Sequence, residues 1–243
     1  MLSAYAVYKY EMQKLLKSRK WLTPLIFLAM YLGFSYSVGP LEIVSSLGLC
    51  SLVAFIGVLV VIFMCEDNRC QTMDQTIFIR LSNKKTYYLG RVLMVVAVSF
   101  IAALIGILVP IFQCIINGPG FFTTPFTIGY GISGFYLFFI SGFSGGMVAL
   151  LLNGRLIPKK EASISICILT ALLTIVKGGL HDKYPITRFL SWILPPLYDL
   201  SAAYSHIEVS LWKETWIYFL WMTAYVFIQV VFYVWIMDKK RFE

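Results

Sequence analysis

Between Arg91 and Arg155 the chain carries no charged residue at all. A run of that length cannot be turned towards water, and about 20 apolar residues already cross a hydrocarbon core of roughly 30 Å. The run therefore belongs in lipid. The turn cluster Asn117-Gly118-Pro119-Gly120, with Pro125, divides it into two spans. Composition points the same way: 59% of residues are hydrophobic and 13% charged, against roughly 45–50% and about 25% in soluble domains. Reading the other charge-poor stretches in the same manner predicts spans at 21–41, 43–65, 92–116, 126–153, 162–180 and 215–237. Gly39, Pro40 and Glu42 form a tight turn between the first two, and Lys177 lies near the end of the fifth, where its ammonium can snorkel. The sequence thus predicts one all-α polytopic membrane domain over residues 1–243, with six transmembrane helices.

With six spans both termini share a side, and the basic residues say which. Lys9, Lys14, Lys17, Arg19 and Lys20 precede the first span; Arg69, Arg80, Lys84, Lys85 and Arg91 follow the second. Arg155, Lys159 and Lys160 follow the fourth, and Lys239, Lys240 and Arg241 follow the last. Only Lys177, Lys183, Arg188 and Lys213 fall opposite, so the positive-inside rule places both termini in the cytoplasm. The net charge of +8 arises between spans rather than as a stripe on a soluble face, which predicts a lipid membrane as partner and no nucleic acid. Polar and amphipathic residues precede the first apolar run, so no cleaved leader is expected. Cys50, Cys114 and Cys167 within spans, and Cys65 and Cys70 at the cytoplasmic boundary, are expected to stay reduced. Rich Lys, Ile and Phe usage and the absence of an N-x-[ST] sequon suit a bacterial cytoplasmic membrane.

Three segments do not span. In residues 1–20, Tyr5, Tyr8, Met12 and Leu15 recur at helical intervals with Lys9, Gln13 and Lys17 on another face. That pattern predicts an amphipathic helix lying on the inner leaflet, the alternative being a solvated basic start. In the cytoplasmic loop 66–91, Met73, Ile77 and Leu81 repeat every four residues. A short helix exposing them with Phe78 needs cover, either from a groove on a cytoplasmic partner or from the membrane surface or its own bundle. The external loop 181–214 holds an apolar stretch from Phe189 to Tyr198, interrupted by Pro195-Pro196 and too short to cross. It suits a re-entrant or interfacial hairpin at an outer mouth, or an ordinary loop with an apolar patch.

The spans hold no Asp, Glu or His near their centres, so intramembrane catalysis and ion-coupled transport are both disfavoured. No GxxxxGK[ST] loop occurs, and neither His181 nor His206 has metal-ligand spacing. Hence no catalytic residue, metal ligand or cofactor site is expected on this chain. Gln113, Asn117 and Gln229 are the polar side chains that a pathway could use, although such groups can also bond carbonyls of their own helix. Gly142 and Gly146 form a GxxxG pair that lets two helices approach, with a sliding interface as the sharper reading.

The order of parts is a basic amphipathic start, two spans, a Glu-led cytoplasmic loop, four further spans with an external apolar hairpin before the last, and a basic tail. It resembles an ABC type-2 permease. In that family the loop after the second span runs from an acidic residue through Thr and a Leu-Ser pair to a basic residue and Tyr-x-Gly-Lys/Arg. The matching positions are Glu66 or Asp67, Thr72 or Thr76, Leu81-Ser82, Lys85 and Tyr88-Leu89-Gly90-Arg91. Ser82-Asn83-Lys84 stands where the family often has Pro or Gly. The resemblance implies that residues 1–20 are an elbow helix. It also implies that Thr72–Leu81 includes a coupling helix, with Glu66, Asp67, Thr72, Met73, Ile77, Phe78, Arg80 and Leu81 contacting an ATP-binding subunit. Two such subunits, carrying ATP and Mg, would power a homo- or heterodimer of permeases. A pathway lined by Phe, Tyr, Leu, Ile and Gly favours amphipathic cargo, peptides or lipid-like molecules, and small stand-alone permeases of this kind are similar to those of bacteriocin immunity and peptide-toxin export. The rival reading is a membrane adaptor or sensor that recruits a cytoplasmic partner without transport.

Overall fold

A computed structural model describes residues 4–19, 21–67, 76–77, 79, 81, 84–152, 157, 159–183, 194–205 and 216–239. Its helices are α1 (Ala4–Ser18), α2 (Leu22–Ser35), α3 (Ile43–Asp67), α4 (Lys84–Asn117), α5 (Ile128–Leu151), α6 (Lys160–Lys183), α7 (Leu197–Ser205) and α8 (Trp216–Lys239). A 3-10 turn spans Pro119–Phe121. Among the described residues there is no strand, only an isolated bridge between Leu41 and Phe122.

Among the described residues four helices, α3, α4, α5 and α8, are long and apolar enough to cross a membrane. The protein is thus a helical membrane protein. The expected span 21–41 is shorter as a helix: α2 has 14 residues and stops at Ser35, because Ser37-Val38-Gly39-Pro40 cannot continue it. Conversely α4 begins at Lys84, inside the stretch expected as loop. Its 34 residues amount to about 51 Å at 1.5 Å each, well beyond a hydrocarbon core. Pro110 leaves the carbonyl of Gly106 without its helical donor. Gly106 is also where the ring of Phe138 presses: a Cβ there would stand 2.6 Å from it.

Helix α5 is the axis. Of its span 72% is buried inside the protein, against 28% for α8. Its glycines are why. A Cβ at Gly145 would lie 2.3 Å from the backbone oxygen of Phe55 on α3, and one at Gly146 would lie 2.3 Å from Val95 on α4. Gly142 meets Val58 at 3.0 Å, so the GxxxG pair sits where α5 meets both neighbours. Buried hydroxyls within the bundle bond carbonyls of their own helices: Ser51 to Gly48 at 2.7 Å, Ser99 to Val95 at 2.8 Å and Thr174 to Thr170 at 2.7 Å.

Contacts sort the helix ends into two sets. At one end gather α1, the end of α3, the start of α4 and the end of α8; the start of α6 joins the end of α5 there, Ser163 donating to the Leu152 carbonyl. At the other end the turn after α2 pairs with the loop after α4. Leu41 N–H donates to the Phe121 carbonyl at 3.1 Å, and Thr123 N–H donates to the Leu41 carbonyl at 3.0 Å. Tyr36, Phe121, Phe122 and Phe126 form a chain of ring contacts over this joint.

Candidate functional site at the loop end of the bundle

The site begins with Gly90. Helix α1 crosses α4 so closely that a Cβ at Gly90 would stand 2.6 Å from Val7 Cβ and 2.9 Å from the Ala4 carbonyl. Only glycine leaves that groove open. The face that α1 turns inward is therefore Val7, Glu11 and Leu15. The expected apolar face was Tyr5, Tyr8, Met12 and Leu15. Leu15 alone is fully buried in both, while Tyr8 and Met12 pack at the edge and Tyr5 is exposed. Sequence periodicity weighted side-chain polarity, and it missed the groove that selects Val7.

One residue further along α4, Arg91 has no exposed surface. Its Nη2 pairs with Glu66 Oε1, at the end of α3, and its Nη1 donates to the Tyr233 hydroxyl of α8 at 2.8 Å. The guanidinium carbon lies 6.0 Å from the Tyr87 ring and 5.9 Å from the Tyr233 ring, the outer range for a cation facing an aromatic quadrupole. Tyr88 stands edge-on to Tyr233 at 6.1 Å. A charge so enclosed is stable only when paired and hydrogen-bonded; these contacts pair it and bond both Nη atoms, while Nε has no hydrogen-bond partner. Further out, Lys85 reaches Asp238 at 3.9 Å on the surface, a pair worth about 0–1 kcal/mol.

Glu66 was expected on the surface offered to a partner; its side chain is 6% exposed and paired inward. Part of the loop is described as well. Thr76, Ile77 and Ile79 are helical, Ile77 packs against the core, Leu81 is buried, and Ile79 is 81% exposed. Of the apolar face expected to need cover from a partner, the membrane surface or its own bundle, Ile77 and Leu81 are covered by the chain's own bundle. Asp67 closes α3. Thr72, Met73, Phe78 and Arg80 lie outside the described residues.

The three pathway candidates are not brought together. Gln113 and Asn117 sit on the exposed side of α4 near its far end, where the Asn117 amide donates to Gln113 at 2.8 Å. Gln229 is buried between α8 and α5, with Ser144 3.4 Å from its oxygen. At that far end α7 replaces part of the expected external hairpin; residues 184–193 lie outside the described ones. Pro195, Pro196, Leu197, Leu200 and Tyr204 are buried, and the Ser201 carbonyl comes within 3.3 Å of a Cβ built on Gly48. Tyr204 and Ser133 share a hydrogen bond of 2.7 Å, and burial pushes the Tyr204 phenol up to about 12, so it is protonated at neutral pH. The Lys177 ammonium, expected to snorkel, is instead paired within the protein: α7 carries Asp199 to within 2.6 Å of it.

Fold and site together define a helical membrane protein built around a central glycine-faced helix, with a buried ion pair tying three helices at one end. Compared with protein-family models, with curated proteins and with solved structures, the chain matches none.

Proposed function

We propose that this chain is the membrane subunit of an ATP-driven exporter. It would cross the cytoplasmic membrane of a bacterium six times with both termini inside. α1 would be the elbow helix and the loop between α3 and α4 the contact for a separate ATPase. Two ATPase copies, holding ATP and Mg, and a second permease chain complete the assembly. The cargo is hydrophobic or amphipathic, with peptides the favoured class. The observation that carries the reading is the gathering of α1, the loop and the ends of α3, α4 and α8 at a single end of the bundle. Six crossings gain support from α2 and α6. Helix α2 leads from the α1 end to the turn that pairs with Phe121, and α6 starts beside Leu152 and finishes against α7. The surface offered to the ATPase centres on Ile79, with Phe78 and Arg80 next to it in the sequence and Asp67, Thr72 and Met73 earlier in the same loop.

One observation favours the adaptor reading: α5 fills the middle of the chain, so a transport path needs a second chain to form. A mild-detergent pull-down from the native host separates the two. Recovery of a stoichiometric ATP-binding protein whose hydrolysis rises with amphipathic peptides is expected. Recovery of the chain without any ATPase would put the adaptor first. Ile79→Asp is expected to release the ATPase while the chain remains inserted; retention at wild-type level would remove the coupling assignment.

A further inference from the structure

We infer that Glu66, Arg91 and Tyr233 form a clamp that makes the loop-side ends of α3, α4 and α8 one moving unit, so that a push on the loop is delivered to all three helices together. The contacts join parts far apart in the chain. Glu66 and Arg91 are 25 positions apart and close the loop at its base, while Tyr233 is 142 positions from Arg91 and adds the last helix. Within the loop, Ile77 packs on the core and Leu81 is buried in it. All three clamped helices also lie against α5, whose Gly145 rests on the Phe55 backbone of α3.

Chemistry argues that the pair is kept for connection rather than for stability. A buried ion pair can usually be replaced by apolar side chains at no cost, whereas removal of either partner alone leaves an uncompensated charge. An apolar pair would pack as well but would let helix ends slide. A guanidinium held by a carboxylate on one helix and a hydroxyl on another fixes direction as well as distance. The clamp as a mechanical joint stands without the exporter reading; its use in coupling ATP hydrolysis to transport rests on it.

Two measurements test this, one on the purified chain in nanodiscs and one on the complex with its ATPase. Amide hydrogen exchange is compared for wild type, Tyr233→Phe, which keeps the ring, and Glu66→Gln. Exchange should rise at least tenfold in the last turn of α3, the first turns of α4 and the last turns of α8 together, while α7 and the Leu41–Thr123 joint keep wild-type rates. Loosening confined to the substituted helix, or none, would overturn the clamp. Should Glu66→Gln fail to fold, Tyr233→Phe decides alone. In the complex, Tyr233→Phe should raise the ratio of ATP hydrolysed to cargo moved by about tenfold, with hydrolysis itself retained. An unchanged ratio in a loosened variant would overturn the coupling role. If no ATPase is recovered, the exporter reading fails and the exchange result still decides the clamp.

Discussion

Arg91 has no surface in water, so its charge is tolerated only while the groups around it are complementary. Arg91→Leu strands the Glu66 carboxylate in the interior, which costs about 3–5 kcal/mol for a broken buried pair. The double exchange Glu66→Arg with Arg91→Glu keeps the pair, and the Tyr233 hydroxyl can turn from acceptor to donor for the new carboxylate. We expect thermal unfolding in detergent to show the single variant strongly destabilised and the exchange largely restored; an exchange no better than the single variant would show that position, not charge pairing, matters here. The sequence made half of this visible. Glu66 and Arg91 were legible as the two ends of one loop, but Glu66 was read as a contact for a partner and not as the counter-charge of Arg91. Tyr233, one of 15 tyrosines, had nothing in its neighbourhood to single it out, because its partner is brought to it only by helix packing. Asp199 was hidden in the same way, and Lys177 was accordingly read as snorkelling.

At the scale of elements, glycine has two different uses along these helices. Gly145 lies against the backbone of α3, which cannot yield as a side chain can, while Gly33 on α2 has nothing within 4 Å of its would-be Cβ. Gly145→Ala should therefore lower stability by about 1–3 kcal/mol through overpacking. Gly33→Ala should be neutral or should stabilise by up to about 1 kcal/mol, alanine being the better helix former. Equal melting shifts for the two would contradict the central placement of α5. The long spans were readable because lipid demands unbroken apolar runs. Short elements were less so: α7 is set by where Leu197, Leu200 and Tyr204 find a pocket among other helices, and α1 by the groove over Gly90. In both cases the deciding partner lies elsewhere in the chain, and local periodicity carries no record of it.

For the whole molecule, the contacts imply which connections share a side. Under the six-crossing proposal, single cysteines introduced into a chain whose own five are replaced by alanine should, when labelled from outside intact cells, sort into one group at Ser37, Gly120 and Ser191 and a second at Ser82, Arg155 and Arg241. Ser82 and Gly120 labelling alike would refute six crossings, and the reading of α2 and α6 with them.

The buried pair also has an electrical consequence. Moving one elementary charge through a potential of 100 mV involves about 2.3 kcal/mol. A rearrangement that keeps Glu66 beside Arg91 and Lys177 beside Asp199 carries equal and opposite charges along the same path, so the field does no net work on either couple. Conformational turnover of this protein should therefore proceed at the same rate in vesicles held at zero potential and in vesicles strongly polarised by a potassium gradient. A rate that follows the imposed voltage would mean that one of these couples comes apart as the bundle moves.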